Sequence, residues 1–316
     1  MSWMRPLGAT GLEVSALCLG GGPLGSMPRL FGVETPAERG IQTVLAALDG
    51  PIRFIDTSNG YSDGESERRI GEALRRVGGL PEGVVVETKT DPRDGDYSGD
   101  RVRRSVAESM ARLGLDRLPL VHLHDPEFHD FDDIAGRGGA VDALVGLREE
   151  GVVGAIGLAG GDVRVMARYL ALGVFDVLLV HNRWTLVDRS AGGLVAEARR
   201  QGMGVLNAAV YGGGILAHQD DEGSPTTYGY RPASPPVLDA VRAMRAVCAR
   251  YGTDLPTAAL QFSVRDDTFA ATVVGMSRPE RVAATVAAAQ APLPDDLFAE
   301  LETLLPAEEQ WLDAPL

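Results

Sequence analysis

The chain of 316 residues is 45% hydrophobic and carries a formal net charge of -14 at pH 7. This length suits either two ordinary domains or one α/β barrel. The acidic balance disfavours nucleic acid and anionic membranes as partners, and no apolar run approaches the roughly 20 residues that a membrane span requires. The two cysteines, Cys18 and Cys248, make no disulfide framework, which indicates a reduced, cytoplasmic setting.

Short β-rich runs alternate with longer amphipathic runs along the whole chain, which is the pattern of βα units that feed a parallel sheet. Eight such units are present, and eight parallel strands favour closure into a barrel. The predicted strands are Ser15–Gly20, Ile52–Ile55, Val84–Thr88, Leu118–Leu123, Val152–Gly157, Val174–Val180, Gly204–Ala208 and Ala271–Val274. The predicted helices begin near Thr35, Glu65, Asp100, Ala140, Asp162, Ser190, Pro235 and Arg278.

Further segments are predicted outside these units. A hairpin around Leu7–Val14 is expected to close the bottom of the barrel, and Pro256–Val264 and Pro294–Leu304 are predicted as extra helices. Residues 1–316 are therefore expected to form one (β/α)8 TIM barrel, as a monomer or a small homo-oligomer. The Gly- and Pro-rich stretch from Tyr211 to Pro236 follows the seventh strand, where a barrel places loops over its active face, so it is the candidate lid.

Lys89 is the one lysine among 30 basic residues, and it follows the third predicted strand. Asp56 follows the second strand, Tyr61 lies in the same loop, and His124 follows the fourth, so these side chains converge on one mouth of the barrel. A nearby ammonium favours a phenolate and lowers the pKa of a tyrosine, while Asp56 would hold the ammonium and His124 would hydrogen-bond a substrate oxygen. The group predicts a proton relay between a carbonyl and an alcohol, with a cofactor supplying the hydride.

Three segments around Asp56 and Tyr61 resemble the signature of the aldo-keto reductases. They are DTSNGY at 56–61, GESE at 64–67 and RIGEAL at 69–74. Lys89 within ETK and His124 within LHDP fall where that family carries its lysine and histidine, and the resemblance covers nearly the whole chain. It implies a catalytic tetrad of these four residues, with Tyr61 as general acid or base, and a nicotinamide cofactor, NAD or NADP.

Within the family, the segments 179–188, 212–217 and 258–262 look most like the aldose 1-dehydrogenase branch. Members of that branch oxidise sugars such as galactose or fucose at C1 to lactones. The resemblance therefore implies a small carbonyl or sugar substrate. The predicted substrate pocket residues are Phe31, Trp184, Tyr228 and Tyr230.

Cofactor contacts follow partly from the resemblance and partly from the chemistry of phosphate, which favours backbone N–H groups and helix N-termini. In the family, NADP-specific members often carry a lysine at the position of Gly275. The absence of that lysine favours NAD as the cofactor, although Arg278 can still contact a 2′-phosphate. After the fifth strand, LAGG at 158–161 replaces a Ser-Asn pair that holds the nicotinamide amide in many relatives, and Asn182, Arg183 and Trp184 are candidate substitutes. The predicted cofactor residues are Gly22, Asn182, Tyr211, Gly212, Gly213, Gly275, Ser277 and Arg281.

Three alternatives remain at this point. Gly20, Gly22 and Gly25 match the Rossmann fingerprint G-x-G-x-x-G, but that motif should open a helix at once and none is predicted there. His122 and His124 alternate on one strand and face the same way, as two ligands of a metal-dependent barrel hydrolase would. The third alternative is a regulatory protein that binds the cofactor with little turnover.

Overall fold

The computed structural model describes residues 2–28, 34–220 and 223–316. Its strands, in chain order, are β1 (Met4–Pro6), β2 (Glu13–Ser15), β3 (Leu17–Gly20), β4 (Phe54–Asp56), β5 (Val85–Thr90), β6 (Leu118–His124), β7 (Val153–Gly160), β8 (Val177–His181), β9 (Gly204–Ala208), β10 (Thr227–Tyr228), β11 (Arg231–Pro232) and β12 (Ala271–Gly275). Eight of them run parallel and close into a barrel in the order β12, β3, β4, β5, β6, β7, β8, β9. The prediction of a (β/α)8 barrel is therefore confirmed.

Barrel strands are buried on both faces, so most of them are rich in valine, leucine and alanine. β5 departs from this pattern, because its sequence VVETKT is buried at all six positions although four of them are polar. Buried polar groups require hydrogen-bond partners, and a strand that holds so many of them is costly without those partners. The composition of β5 therefore marks one wall of the barrel as a functional wall.

The N-terminal hairpin of β1 and β2 closes the bottom of the barrel, as predicted. Leu7 and Val14 are fully buried in the cluster that fills the barrel interior. Gly8 has a positive φ of 56°, and a Cβ there would lie well under 3.0 Å from the backbone of Gly204, where β9 begins. The hairpin thus seals the N-terminal ends of the strands and leaves their C-terminal ends as the open mouth.

Helices cover the outside of the barrel and extend beyond it. In chain order they are Ala37–Asp49, Glu65–Arg76, Gly99–Leu113, Phe131–Ala135, Ala140–Glu149, Val163–Leu170, Gly192–Arg200, Pro235–Arg250, Leu255–Val264, Pro279–Gln290 and Asp295–Glu302. The predicted extra helices correspond to Leu255–Val264 and Asp295–Glu302, which pack with Pro235–Arg250 in a second apolar cluster. None of the described helices is long and apolar enough to cross a membrane.

Some predicted boundaries are wrong. The run Ser15–Gly20 is not one strand, because the chain changes sheets at Ala16 between β2 and β3. β5 continues to Thr90, so Lys89 lies inside the strand rather than after it. The short helix Phe131–Ala135 was not predicted, and neither was the hairpin of β10 and β11, which the described part of the candidate lid forms.

The helices Glu65–Arg76 and Gly99–Leu113 meet at Gly71. A Cβ there would lie well under 3.0 Å from the backbone carbonyl oxygen of Arg112, which cannot rotate away. Gly71→Ala is expected to lower the free energy of unfolding by about 1–3 kcal/mol, the usual cost of overpacking. Gly146→Ala is the matched control, because a Cβ there meets the far end of the Arg103 side chain at 2.9 Å and alanine favours a helix. Chemical denaturation measures the free energy of unfolding of both variants. Equal stability of the two would contradict the close approach of the two helices at Gly71.

Candidate active site

Three neighbouring strands bring charged side chains to the mouth of the barrel. Asp56 is the last residue of β4, Lys89 is the last but one of β5, and His124 is the last of β6. In the sheet register Asp56 pairs with Glu87, and Lys89 pairs with His122. Each strand therefore presents its functional side chain two residues beyond the level of the previous one, which places Lys89 between Asp56 and His124.

Tyr61 lies in a turn after β4 whose backbone is unusual. The next three residues, Ser62, Asp63 and Gly64, have left-handed φ angles of 52°, 53° and 83°. Left-handed conformations are costly for residues other than glycine, and they persist where the surrounding structure fixes them. The turn that carries Tyr61 is therefore held in place by its surroundings.

Other polar residues of the motif hold this turn. Ser66 Oγ donates to the carbonyl oxygen of Gly21 at 2.8 Å and lies 2.8 Å from Thr57 Oγ1. The Asn59 side-chain amide donates to the carbonyl oxygen of Ser105 at 3.2 Å, which ties the turn to the helix Gly99–Leu113. Most of the signature is thus structural, and its function is to deliver Tyr61 to the mouth.

The Lys89 ammonium is fully partnered. It donates to Asp56 Oδ1, to the carbonyl oxygen of Thr57 at 2.8 Å and to the Tyr61 hydroxyl oxygen at 3.2 Å. An ammonium has three donors, so each of them is used. Burial alone would lower the pKa of Lys89, but Asp56, Tyr61 and Glu87 more than compensate and raise it. The group therefore stays charged although only 2% of its side chain is exposed.

The pKa of the Tyr61 hydroxyl contradicts the expectation of an easily formed phenolate. Burial disfavours the charged form and is the largest effect, Lys89 lowers the pKa in part, and Asp56 raises it further. The net result is a pKa above the usual value for tyrosine. Tyr61 is therefore a neutral hydroxyl at neutral pH, and Lys89 stabilises the phenolate only after the proton has left.

His124 is held by a carboxylate that the sequence analysis did not identify. Asp91 lies just past the end of β5, with Oδ1 2.7 Å from His124 Nδ1, and Ser58 Oγ lies 3.2 Å from the same nitrogen. Burial alone would lower the pKa of His124, but Asp91 and Asp125 outweigh it and raise the pKa. No motif marks Asp91 in the sequence, because aspartates are common in the loops that follow strands.

A second buried pair lies in the barrel interior, with Glu87 level with Asp56 and His122 level with Lys89 in the sheet register. Glu87 Oε2 lies 2.8 Å from His122 Nε2, and both side chains are fully buried. Burial raises the pKa of Glu87 to about 8 and lowers the pKa of His122 to about 3. At neutral pH a neutral carboxyl therefore donates to a neutral imidazole. β7 makes room for the ring at Gly157, where a Cβ would overlap with it.

This pair contradicts the metal-hydrolase alternative. His122 is buried against Glu87 and His124 is bound to Asp91, so the two rings share no open ligand site. Within the described ranges, the residues whose carboxylate and imidazole atoms lie close enough for an ion are Asp125, Glu127 and His181. That group includes neither of the predicted ligands.

An open cavity of about 430 Å³ lies at the mouth and is lined by the whole tetrad together with Asp125 and His181. Much of the remaining lining is small. It comes from the ends of β7, β9 and β12, namely Ala159, Gly160, Ala208, Ala209 and Gly275, while β8 between them contributes His181. These small residues leave space beside the tetrad for a flat ring such as a nicotinamide.

Two of the predicted cofactor glycines line the cavity, namely Gly22 and Gly275. Gly212 does not fit its predicted role, because its N–H donates to Ala209 within the turn and a Cβ there would meet the ring of Tyr228. Gly213 is exposed on the same turn. A phosphate can therefore reach Gly213, whereas Gly212 is not accessible to it.

The predicted adenosine side is built around the helix Pro279–Gln290. This helix begins after Arg278 without a side-chain cap on its first N–H groups, which fits a phosphate. Burial raises the pKa of Tyr211, and the adjacent Arg281 guanidinium lowers it in part. Tyr211, Arg281 and the half-buried Ser277 thus lie beside one uncapped helix N-terminus.

Gly160, in the segment where many family members are expected to carry the Ser-Asn pair, has little free space around it. A Cβ at Gly160 would lie 2.5 Å from Glu127 Oε2 and 2.6 Å from Met166 Sδ. Glu127 is fixed there because its Oε1 accepts a hydrogen bond from the N–H of Gly161 at 2.6 Å. Its Oε2 is buried with no hydrogen-bond partner among the described residues. The carboxyl of Glu127 thus fills the space that a larger side chain at 160 would need.

The predicted substitutes for that pair are not at the cavity. Asn182 is fully buried, and its carbonyl oxygen accepts a hydrogen bond from the Tyr228 hydroxyl. Arg183 is bound to Asp313, with Nε 2.8 Å from Oδ2. His181, the last residue of β8, lines the cavity instead.

Tyr230, one of the predicted pocket residues, lines the cavity and is 60% exposed. It occupies the two-residue turn between β10 and β11 with a φ of 68°, a conformation in which glycine or asparagine is usual. Such a costly conformation persists only where the surrounding structure fixes it, and here it places an aromatic ring at the mouth.

The other predicted pocket residues lie elsewhere. Tyr228 is 3% exposed, and its hydroxyl lies 2.8 Å from Thr185 Oγ1. It therefore packs inside the loop and does not face a substrate. Trp184 Nε1 donates to Asp266 Oδ2 at 3.2 Å, and its ring packs on Phe269, away from the cavity. Phe31 lies outside the described residues.

A barrel mouth that combines a neutral tyrosine hydroxyl, a buried ammonium and a cavity with many small lining residues fits an oxidoreductase that acts on a carbonyl or an alcohol. The chain belongs to the aldo-keto reductase family, because the Aldo/keto reductase family model matches residues 16–306. The protein is therefore an NAD(P)-dependent oxidoreductase. The Rossmann alternative is wrong, since Gly20 ends a strand of a closed barrel rather than of an open sheet.

Similar proteins place the chain near the sugar dehydrogenases of this family, as the sequence predicted. It is 33% identical over 290 residues to L-galactose dehydrogenase of Arabidopsis thaliana, which covers 90% of this chain and 87% of that protein. It is 31% identical over 318 residues to D-threo-aldose 1-dehydrogenase of a Pseudomonas species, with coverage of 93% and 94%. An aldo-keto reductase from Bacillus halodurans, solved in its holo form, shares the fold with a TM-score of 0.80 at 23% identity and 97% coverage of both chains.

The Glu87–His122 pair predicts a pH dependence of stability. The folded-state pKa of Glu87, about 8, lies above its ordinary value of 4.5, so its contribution to stability is complete below 4.5 and is lost as the pH rises through about 8. Glu87→Gln keeps a donor for His122 but cannot ionise. Between pH 5 and pH 9 the wild type should lose at least about 1 kcal/mol more unfolding free energy than the variant. Denaturation curves of both proteins at these two pH values give their free energies of unfolding. An equal change between the two pH values in both proteins would contradict the neutral pair.

Proposed function

We propose that this protein is an aldose 1-dehydrogenase that oxidises the C1 hydroxyl of a small sugar to a lactone, with NAD as its preferred cofactor. The observation that carries the proposal is that Tyr61 and His124 meet edge to face at the cavity, with ring centres 5.8 Å apart, so one substrate oxygen can contact both. The sugar dehydrogenases among the relatives support the substrate class.

Tyr61 moves the proton in this mechanism. In the direction of reduction the Tyr61 hydroxyl gives its proton to the carbonyl oxygen; in the direction of oxidation Tyr61 first loses its proton to solvent, and the phenolate then accepts the proton of the C1 hydroxyl. Lys89, held by Asp56, stabilises the phenolate through the contact of 3.2 Å. His124 orients the same oxygen. A bound nicotinamide ring accepts or supplies the hydride.

The rim of the cavity suits a substrate with several hydroxyl groups. Asp125 lines the cavity with 37% of its side chain exposed, and His181 lies opposite, with Nε2 3.9 Å from Asp125 Oδ1. Their gap is too long for a direct hydrogen bond, so both side chains keep polar atoms for a ligand. An unsubstituted aldehyde has no group that would use them, whereas a sugar does.

The NAD preference rests on Gly275, which offers no charge beside the uncapped start of the helix Pro279–Gln290. A Cβ there would lie 3.2 Å from the ring of Pro23, so the position is also sterically close. Gly22, Gly213, Tyr211, Ser277 and Arg281 are the residues proposed to hold the cofactor. Arg278 is exposed and remains the candidate contact for a 2′-phosphate.

The cellular setting is also a proposal. Cys18 and Cys248 are free and buried, which fits a reducing compartment such as the cytoplasm. We expect a monomer or a small homo-oligomer, which light scattering on the purified protein can determine.

An activity panel tests the function. The purified protein is mixed with D- and L-aldoses and with NAD or NADP, and the absorbance of the reduced nicotinamide is followed in both directions. Turnover of at least one aldose, with the higher kcat/KM for NAD, is the expected result. Reduction of simple aldehydes alone would overturn the sugar assignment. Tight cofactor binding without turnover would favour the regulatory alternative.

Tyr61→Phe removes the proton that the mechanism transfers and leaves the ring that contacts His124. We expect kcat to fall by about 10²–10⁴, the usual contribution of general acid–base catalysis, with cofactor affinity unchanged. Steady-state kinetics and fluorescence titration with the reduced cofactor measure the two quantities. A wild-type rate in this variant would rule out the mechanism.

Lys89→Arg should be nearly as damaging, because a planar guanidinium cannot place three donors on Asp56, Thr57 and Tyr61 in a site built for a compact ammonium. The fall in kcat should be accompanied by a loss of thermal stability, since the Lys89 side chain is only 2% exposed and has no room for a larger group. Lys89→Met tests the charge separately. If the arginine variant kept the wild-type kcat, Lys89 would not act through its ammonium.

A further inference from the structure

Asp91 connects the two groups that meet the substrate oxygen. Its Oδ1 lies 2.7 Å from Nδ1 of His124, and its Oδ2 accepts the backbone N–H of Gly60 at 2.6 Å. Gly60 immediately precedes Tyr61, and a Cβ at Gly60 would lie 2.8 Å from Asp91 Cγ. A single carboxylate from the end of β5 therefore contacts the ring of His124 and the turn that carries Tyr61.

These contacts decide which nitrogen of His124 carries the proton. Burial alone would raise the pKa of Asp91, but His124, Ser58 and Gly60 hold it below the usual value, so the group is ionised. An ionised carboxylate only accepts hydrogen bonds. His124 Nδ1 must therefore be the donor, and Nε2 is the nitrogen left for the cavity.

We propose that Asp91 is a positioning residue that fixes the His124 ring with Nδ1–H on its carboxylate and Nε2 toward the reacting oxygen, and that holds the turn of Tyr61 in register with it. The proposal rests on the proposed function for the identity of that oxygen. The arrangement is that of a buried carboxylate which orients a catalytic imidazole and favours its charged form.

Other charged groups also face His124, and the effect of Asp91 must be distinguished from theirs. Asp125 comes from the loop after β6, with Oδ2 3.8 Å from Nε2, and Lys89 opposes protonation from β5. Tyr61 meets the ring from the loop after β4, and His181 comes from the end of β8. Asp91 is the carboxylate at hydrogen-bond distance, so its removal should have the largest effect.

The test compares Asp91→Asn with Asp94→Asn. The first keeps a side-chain oxygen and the same shape but loses the charge beside His124. The second removes an equal charge from an exposed position of the same loop, where φ is 53° and asparagine is equally tolerated. Imidazole NMR of the five histidines, with His124→Gln to assign the signal, follows titration and tautomer without any substrate.

In Asp91→Asn the His124 titration should move down by about one pH unit or more, and the proton should no longer be confined to Nδ1. In Asp94→Asn the His124 imidazole should titrate as it does in the wild type. The pH profile of kcat in Asp91→Asn should shift by the same amount as the NMR titration, whereas KM should change less than kcat. Asp91→Glu should restore the wild-type titration in part.

Ser58→Ala provides a second variant should Asp91→Asn fold poorly, because it removes the hydroxyl that contacts both His124 Nδ1 and Asp91 Oδ2 but leaves the carboxylate. The His124 titration should move down there by much less than in Asp91→Asn, and no change in tautomer is expected. An unshifted titration in Asp91→Asn, or a kcat that falls equally at every pH, would overturn the proposal and leave Asp91 as a structural residue. The NMR result needs no sugar turnover, so failure of the aldose assignment and failure of this proposal are distinguishable.

Discussion

The buried ion pair between Lys89 and Asp56 is the interaction on which the rest of the site depends. Charges removed from water are costly unless geometry and hydrogen bonds compensate, and losing one partner of such a pair is strongly destabilising. Here the compensation comes from β4 and its loop, since Asp56, Thr57 and Tyr61 all accept from the ammonium. The register of β4 against β5 and the left-handed turn after Tyr61 are therefore conditions for keeping a charge at this depth.

Partners rather than depth decide which groups are charged. Glu87 and His122 are buried against each other and stay neutral, because burial moves their pKa values in opposite directions toward the uncharged forms. Lys89, level with His122 in the sheet register, is charged because it has an ionised partner in Asp56. His124 lies nearer the rim and is aided by a carboxylate whose pKa is kept low by His124 itself, by Ser58 and by the N–H of Gly60. The result is one fixed positive charge beside a neutral tyrosine hydroxyl.

The barrel and the convergence of the tetrad were predictable, because βα alternation is local and strand ends of a parallel barrel meet at one face. The motif around Tyr61 was equally visible. Asp91 and Glu87 were missed because their roles arise from cross-strand neighbours far away in sequence. The direction of the Tyr61 pKa shift was wrong for the same reason, since the charge of Lys89 is visible in the sequence and the burial that outweighs it is not. Tyr228 and Trp184 were assigned to the pocket on aromatic character alone, which does not reveal which way a ring faces.

The contact between Glu127 and Gly160 couples two positions more than 30 residues apart, from neighbouring strand-end loops. A larger side chain at 160 would displace the carboxyl of Glu127, and shortening Glu127 alone would release the N–H of Gly161 that it satisfies. A substitution at either position therefore changes the surroundings of the other. Engineering this part of the cavity wall would accordingly have to treat Glu127 and Gly160 as one unit.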